Sequence, residues 1–364
     1  MSRNTPSGKR ALKNAKDTEL AHRLSRRGML GVAAGAGAAA ALGLSAVPAA
    51  AQGRGHGHGH DHGHGHGHGH SSPVLTPGHL GVQLYSLRDK VASVGFATVF
   101  DELERFGYDQ VEYAGYTQGT GDITLPQLAR LAREHGLDGI GSHVNYADDS
   151  NPDAYSFAQN LEQVLDDAQV LGLEHIGTAS NPSRYGTTVD AWKRAAEEFN
   201  TYGAAARKRG MKFYQHNHGD EFGFAADQPD VRLYDVLLAE TDPDLVYLEM
   251  DIYWAYTGQF RFSVTPEGKP RPFEPLDYVL KQPHRYPLFH VKDGVHDDQA
   301  SDGYDMTNVG DGDIDYKTFI SAVNKTRGGR GSHQWQVEHD QPTDSFEFAQ
   351  VSADYLHSLR ERDC

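Results

Sequence analysis

Four short segments each carry two chemistry-bearing residues two positions apart: His216 and His218, Glu249 and Asp251, His290 and Lys292, Glu338 and Asp340. Along an extended strand, residues two apart share a face. If these segments are neighbouring strands, imidazoles and carboxylates from all four converge. Such a donor set suits one divalent ion, whether Mn, Co, Zn, Mg or Fe. A metal with open coordination positions could take two oxygens of a sugar and stabilise the charge that develops when a proton leaves a carbon next to a carbonyl. Three further segments end in polar groups: Gln83-Leu84-Tyr85-Ser86, Glu112-Tyr113 and His143-Val144-Asn145. The single cysteine, Cys364, is the last residue, so no disulfide can form within the chain and any metal falls to His and carboxylates.

The elements that must position these groups alternate. From Leu80 onward, short apolar runs switch repeatedly with amphipathic stretches. The runs predict strands at Gly81–Tyr85, Gln110–Tyr113, Asp138–His143, His175–Thr178, Lys212–His216, Leu245–Asp251, Leu288–Val291 and Gln334–Glu338. Helices are expected at Val91–Phe106, Leu125–His135, Pro152–Leu171, Val189–Arg209, Val231–Glu240, Pro275–Lys281, Tyr316–Thr326 and Ser345–Arg360. Glycine follows several of them, as at Gly107 and Gly172, where a helix commonly stops. Eight β/α units over residues 79–364 fit a single (β/α)8 TIM barrel, which collects its chemistry at the carboxyl ends of the strands. A doubly wound sheet is the alternative; it would call for a Gly-rich phosphate turn after the first strand, and Tyr85-Ser86-Leu87-Arg88-Asp89 offers none. Thr257–Phe273, with Gly268, Pro270 and Pro272, reads as an inserted loop beyond the sixth strand.

The amino-terminal part reads as an address. Arg26-Arg27 precede an Ala/Gly/Leu run that ends in Pro48-Ala49-Ala50-Ala51, the pattern of a cleavable twin-arginine signal over residues 1–51. The alternative, a membrane anchor, would need a longer and more apolar run. Residues 52–78 form a His/Gly-rich linker with histidines at 56, 58, 60, 62, 64, 66, 68 and 70, either a loose metal-capturing tract or a solvated spacer. The chain carries a formal charge of −16, and the eight Lys/Arg and two acids of residues 1–51 contribute +6, so −22 rests on the remainder. That balance argues against a nucleic-acid backbone or an anionic membrane as the main partner.

The segments Gly-Val-Gln-Leu-Tyr-Ser-Leu-Arg-Asp (81–89), Tyr-Gln-His-Asn-His (214–218), Glu-Met-Asp-Ile-Tyr-Trp (249–254), His-Val-Lys-Asp (290–293), Val-Gly-Asp-Gly (309–312) and Val-Glu-His-Asp (337–340) together resemble the sugar phosphate isomerase/epimerase family with a xylose isomerase-like TIM barrel. The resemblance implies a divalent metal held by Asp251, His290 and Glu338, with His216 standing where many relatives have the first metal carboxylate. Relatives that move a proton between two faces of a sugar use two metal-bound glutamates. Here Glu338 is the expected base, and Glu249 is the candidate for the missing carboxylate. Together with the signal and the charge balance, the resemblance makes the expected partner a small carbohydrate met outside the cytoplasm, with no membrane anchor after processing and a homo-oligomer left open.

Other positions carry a functional and a plainer reading. His143, His218, Tyr85, Trp254 and Lys292 are candidate substrate contacts. Yet His143 could merely bond the barrel rim, Trp254 could be packing, and Lys292 could neutralise carboxylates. Asp293 and Asp340 could orient a ligand, and Glu112 could face solvent. The expected activity is metal-dependent isomerisation, epimerisation or lysis of a sugar or keto-glycoside by proton abstraction next to a carbonyl. A phosphosugar is disfavoured because no Gly-rich cradle or Arg cluster stands at a strand end. The alternatives are a metal or sugar binder without catalysis and an apurinic-type endonuclease.

Overall fold

The computed structural model describes residues 72–115 and 123–361. The segment expected to be a signal, the histidine repeat and Cys364 lie outside the described residues. Ten strands follow in chain order: β1 (Leu80–Gln83), β2 (Gln110–Ala114), β3 (Asp138–His143), β4 (His175–Thr178), β5 (Lys212–His216), β6 (Val246–Asp251), β7 (Leu288–Val291), β8 (Asp293–His296), β9 (Tyr304–Thr307) and β10 (Gln334–Val337). β1 to β7 pair in sequence order, and β10 closes the ring between β7 and β1. All eight barrel pairings are parallel, which is the TIM-barrel architecture expected above rather than an open doubly wound sheet.

Nine helices are described: α1 (Arg88–Phe106), α2 (Leu125–Glu134), α3 (Phe157–Leu171), α4 (Val189–Lys208), α5 (Leu233–Glu240), α6 (Ile252–Arg261), α7 (Pro275–Lys281), α8 (Tyr316–Asn324) and α9 (Ser345–Ser358). Their ends follow local chemistry. α1 and α3 stop at Gly107 and Gly172, both left-handed, with φ of 85° and 77°. α2 opens with a capping box between Thr124 and Gln127.

Strand alternation divides the barrel into two environments. On β7, Phe289 and Val291 face outward into the core that the helices cover, and Phe289 stacks on Trp335 of β10 with centroids 4.5 Å apart. The inner face holds only a small apolar plug of Ile140, Tyr214 and Leu288. Beside it, Gln336 Nε2 donates to Gln110 Oε1 at 2.9 Å. Above that layer the interior is ionisable. Register sets His216 beside Glu249 and Asp251 beside His290, so neighbouring strands deliver these side chains to one level.

Several boundaries depart from the sequence expectation. β1 ends at Gln83 rather than Tyr85, because Leu84–Leu87 turns into a 3-10 helix in which the Gln83 side chain accepts from Tyr85 N. α3 starts at Phe157 rather than Pro152, since the Ser156 side chain caps it by accepting from Gln159 N. The expected loop from Thr257 is helical in its first part. Asp251 caps α6 by accepting from Trp254 N at 2.9 Å and so extends the chain as helix to Arg261. No strands are expected from the sequence at the antiparallel hairpin β8–β9; at four residues each, and with apolar alternation only in Tyr304 and Met306 of β9, its segments give too short a pattern to mark strands.

Candidate metal centre

The inner ends of β2, β3, β5, β6, β7 and β10 bring four carboxylates and three imidazoles into contact. Glu112, Glu249 and Asp251 are 0% exposed and Glu338 is 6% exposed. Burying four carboxylates is expensive unless each is paired. Among the described residues, Lys292 is the one lysine that pairs with any of them: its Nζ lies 3.1 Å from Asp251 Oδ2 and 2.8 Å from Glu338 Oε2, and it also reaches Asp340 Oδ1 at 2.7 Å.

The histidines supply the rest of the pairing, and their two ring nitrogens divide the work. His290 Nε2 sits 2.6 Å from Glu112 Oε2, while its Nδ1 lies 2.6 Å from Glu338 Oε2 and 3.9 Å from Asp251 Oδ2. His216 Nδ1 bonds Glu249 Oε2 at 3.1 Å, and its Nε2 lies 3.7 Å from Asp251 Oδ2. Each ring therefore turns one nitrogen to a carboxylate of the deeper layer and the other to the barrel mouth, His216 toward Asp251 and His290 against Glu338 with Asp251 beyond. A carboxylate behind a histidine fixes the ring and its tautomer for a metal in front. His143 Nε2 completes the deeper layer, 2.7 Å from Glu249 Oε2 and 3.3 Å from Glu112 Oε1. The Tyr214 hydroxyl donates to Glu112.

Electrostatics divides the two metal-facing histidines. Burial and the neighbouring His290 push His216 well below the ordinary imidazole range, so it is neutral and its lone pair is available. Burial acts the same way on His290, but Glu249, Glu338 and Glu112 outweigh it and raise that ring well above its ordinary value. Burial lifts Asp251 to about 6 against the pull of Lys292. Burial would lift Glu338 too, yet Lys292 and His290 hold it well below the carboxylate range. Burial and Lys292 take His218 down to about 4.

This donor set fits a divalent cation. Asp251 Oδ2 and His290 Nδ1 are fully buried and make no well-aligned hydrogen bond. Donor atoms of Asp251, His290 and Glu338 lie within 4.8 Å of one another, as do those of His143, His216, Glu249 and His290. In the second group the imidazole nitrogens already close on Glu249 Oε2 as hydrogen bonds. In the first group, Asp251 Oδ2 and His290 Nδ1 carry no such bond, Glu338 is held only by ion pairs with Lys292 and His290, and His216 Nε2 lies beside Asp251. His216, Asp251, His290 and Glu338 are thus the residues that would hold an ion, the four expected from the sequence.

A cavity of about 590 Å³ opens above them. His143, His216, His218, Lys292, Glu338, Asp340 and Tyr85 line it, together with Asn145, Tyr155, Ser180 and Gln341. Among the described lining residues there is one lysine and no arginine. Of the sequence candidates for substrate contact, Tyr85, His143, His218 and Lys292 reach this cavity. Trp254 does not line it; its ring packs near His218, with centroids 5.9 Å apart. Glu249 is also absent from the lining, because it lies behind the histidines.

Two other readings need correction. Glu112 does not face solvent; it is fully buried and bonded to His290. The available signal was its position two residues after Gln110 on an otherwise buried strand, which puts it on the inner face. Asp293 orients no ligand. Its carboxylate accepts from the backbone N–H of Gly294, Gly310, Gly312 and Ile314, and so pins the Val-Gly-Asp-Gly loop.

The chain belongs to the xylose isomerase-like TIM barrel family, whose model matches residues 100–345. Among solved structures it is similar to a sugar phosphate isomerase/epimerase from Parabacteroides distasonis, 26% identical, with a TM-score of 0.57, covering 76% of this chain and 96% of that one. It also shares the fold of a probable 3-DHS dehydratase from Bacillus anthracis (13% identity, TM-score 0.56, 76% and 98% coverage). The IolI protein, with a bound zinc atom, shares it as well (14% identity, TM-score 0.56, 76% and 96% coverage). No curated protein matches the chain.

Proposed function

We propose that this protein is an exported, divalent-metal-dependent carbohydrate enzyme that removes a proton next to a carbonyl, and that its reaction is elimination from a neutral sugar or keto-glycoside. The carrying observation is the arrangement of His216, Asp251, His290 and Glu338 at one level of the barrel mouth, with buried Glu249 and Glu112 behind the two rings. A divalent metal held there would polarise the carbonyl and stabilise the charge that moves onto its oxygen.

Glu338 is the base this reading favours. It lines the cavity, and Lys292 and His290 keep it ionised. It would take the proton from carbon while the bonding electrons move to the carbonyl oxygen. As the C=O bond re-forms, the electron pair left by the proton makes a new C=C bond between the deprotonated carbon and its neighbour, the C–O bond on that neighbour breaks, and protonated Glu338 returns its proton to the departing oxygen. One carboxylate on one face suffices for that sequence. Asp340, at the rim against Lys292, is the other carboxylate of the described lining, and a two-base exchange between faces would need a second carboxylate beside the metal. His216 occupies the position where relatives carry it, and Glu249 is screened by the rings. Neutral His218 and Asn145 can bond sugar hydroxyls. The absence of arginine among the described lining residues favours an uncharged substrate over a phosphorylated one. Export is inferred from Arg26-Arg27 and the Ala-rich run that follows.

The test is incubation of the manganese-loaded protein with 3-keto-glucosides, free ketoses and sugar phosphates in D2O. Release of the aglycone from the keto-glucosides is expected. Glu338→Gln should slow it by about 10²–10⁴-fold, the usual contribution of general acid–base catalysis. Turnover confined to sugar phosphates, or full activity in Glu338→Gln, would overturn the reading.

A further inference from the structure

Lys292 stands between the carboxylates that face the metal position and the rim of the cavity. Its ammonium touches Asp251 Oδ2 at 3.1 Å and Glu338 Oε2 at 2.8 Å, and both belong to the set that would hold an ion. Its third contact, Asp340 Oδ1 at 2.7 Å, belongs to a residue outside that set. The three carboxylates are graded in depth: the side chains of Asp251, Glu338 and Asp340 are 0%, 7% and 36% exposed. The backbone of Lys292 is fixed, because its carbonyl accepts from the buried Tyr316 hydroxyl. Movement of the charge is thus confined to the flexible four-carbon stem, and the contact nearest the rim is Asp340.

A positive charge touching two ligand oxygens opposes the approach of a second cation, and the opposition is strong where water is excluded. We propose that Lys292 competes with the divalent ion for Asp251 and Glu338 and yields by shifting onto Asp340, so that the Lys292–Asp340 pair sets the metal affinity of the site. This rests on the metal reading given above. The consequence is a site whose carboxylates always have a positive partner and whose metal is held more weakly than its donor set alone would hold it.

The two partners have opposite predicted signs. Titration of the full chain with manganese, followed by the EPR signal of the free ion, measures affinity without relying on turnover. Asp251→Asn identifies the barrel component by abolishing it, which separates it from loose binding by the histidine tract. Lys292→Met should tighten the barrel site at least tenfold. Asp340→Asn should weaken it at least threefold in the native background, because the displaced ammonium loses its second partner. In the Lys292→Met background, Asp340→Asn should change it less than twofold. Unchanged or weaker binding in Lys292→Met overturns the proposal. So does an equal effect of Asp340→Asn in both backgrounds, which would reduce Asp340 to a simple attractive charge. If Lys292→Met fails to fold alone, saturating manganese should restore it by supplying the missing positive charge, and failure to fold at any manganese concentration also contradicts the proposal. An Asp251→Asn titration identical to that of the native chain would instead defeat the metal reading itself.

Discussion

Glu112 offers the sharpest test of the layer behind the metal position. Its Oε2 lies 2.6 Å from His290 Nε2 and its Oε1 3.3 Å from His143 Nε2, with no exposure to solvent. Glutamine has the same shape and keeps an oxygen for His290, but the bond is no longer to a charged acceptor. Charge-assisted bonds contribute about 1.5–3 kcal/mol and neutral ones about 0.5–1.5 kcal/mol. The difference, on the order of 1.4 kcal/mol, is about tenfold in an equilibrium constant. Glu112→Gln should therefore weaken manganese binding by about tenfold, at the lower end of the 10–100-fold typical for residues that orient a metal ligand. Glu112→Ala should do more. It strands the His290 N–H and the Tyr214 hydroxyl in the interior and should lower stability by about 3–5 kcal/mol as well. Calorimetric titration with manganese, beside urea unfolding, separates the two effects. A folded Glu112→Gln protein that binds metal within twofold of the native chain would refute the claim that Glu112 fixes His290 for coordination.

Three further outcomes follow from other parts of the barrel. Burial and Lys212 lower the His175 ring to about 4, below its ordinary value, although Glu174 opposes them. The unfolded chain therefore binds a proton between about pH 6.5 and 4 that the folded chain does not, and the native protein should lose on the order of 3 kcal/mol of stability as pH falls through that window. His175→Gln should flatten the loss in urea unfolding at pH 7 and pH 4; an unchanged pH slope would contradict it. Asp293→Ala removes the acceptor of four backbone N–H groups, those of Gly294, Gly310, Gly312 and Ile314, and a loss of about 3–5 kcal/mol with faster amide exchange at those positions is expected. Deleting residues 53–70 should leave turnover intact when manganese is in excess; loss of turnover under that condition would place the histidine tract in the reaction itself.

The barrel was legible because its two signals are local and independent. Short apolar runs mark strands buried on their outer face, and glycines such as Gly107 and Gly172 mark where helices stop. The convergence of Asp251, His290 and Glu338 was legible as soon as the strands were placed, since a two-residue spacing fixes which side chains share a face. What depends on a particular partner was not legible. Glu112 has no local mark separating an inward carboxylate from a solvent-facing one; its partner, His290, is 178 residues away. Glu249 shares the face of Asp251 but sits one layer deeper, and depth along a barrel axis is not written in spacing. The helix after β6 was obscured because its cap is Asp251, a residue read only for its chemistry. The β8–β9 hairpin depends on pairing between two four-residue segments, too short for the alternation of Tyr304 and Met306 to mark a strand by itself.

The central claim is that one divalent cation sits among His216, Asp251, His290 and Glu338. Anomalous diffraction from crystals of the manganese-loaded protein tests it most directly. A single strong peak between those four side chains, with the Lys292 ammonium turned to Asp340, is the result expected. A barrel mouth without anomalous signal at saturating manganese, with Lys292 still bridging Asp251 and Glu338, would contradict the account.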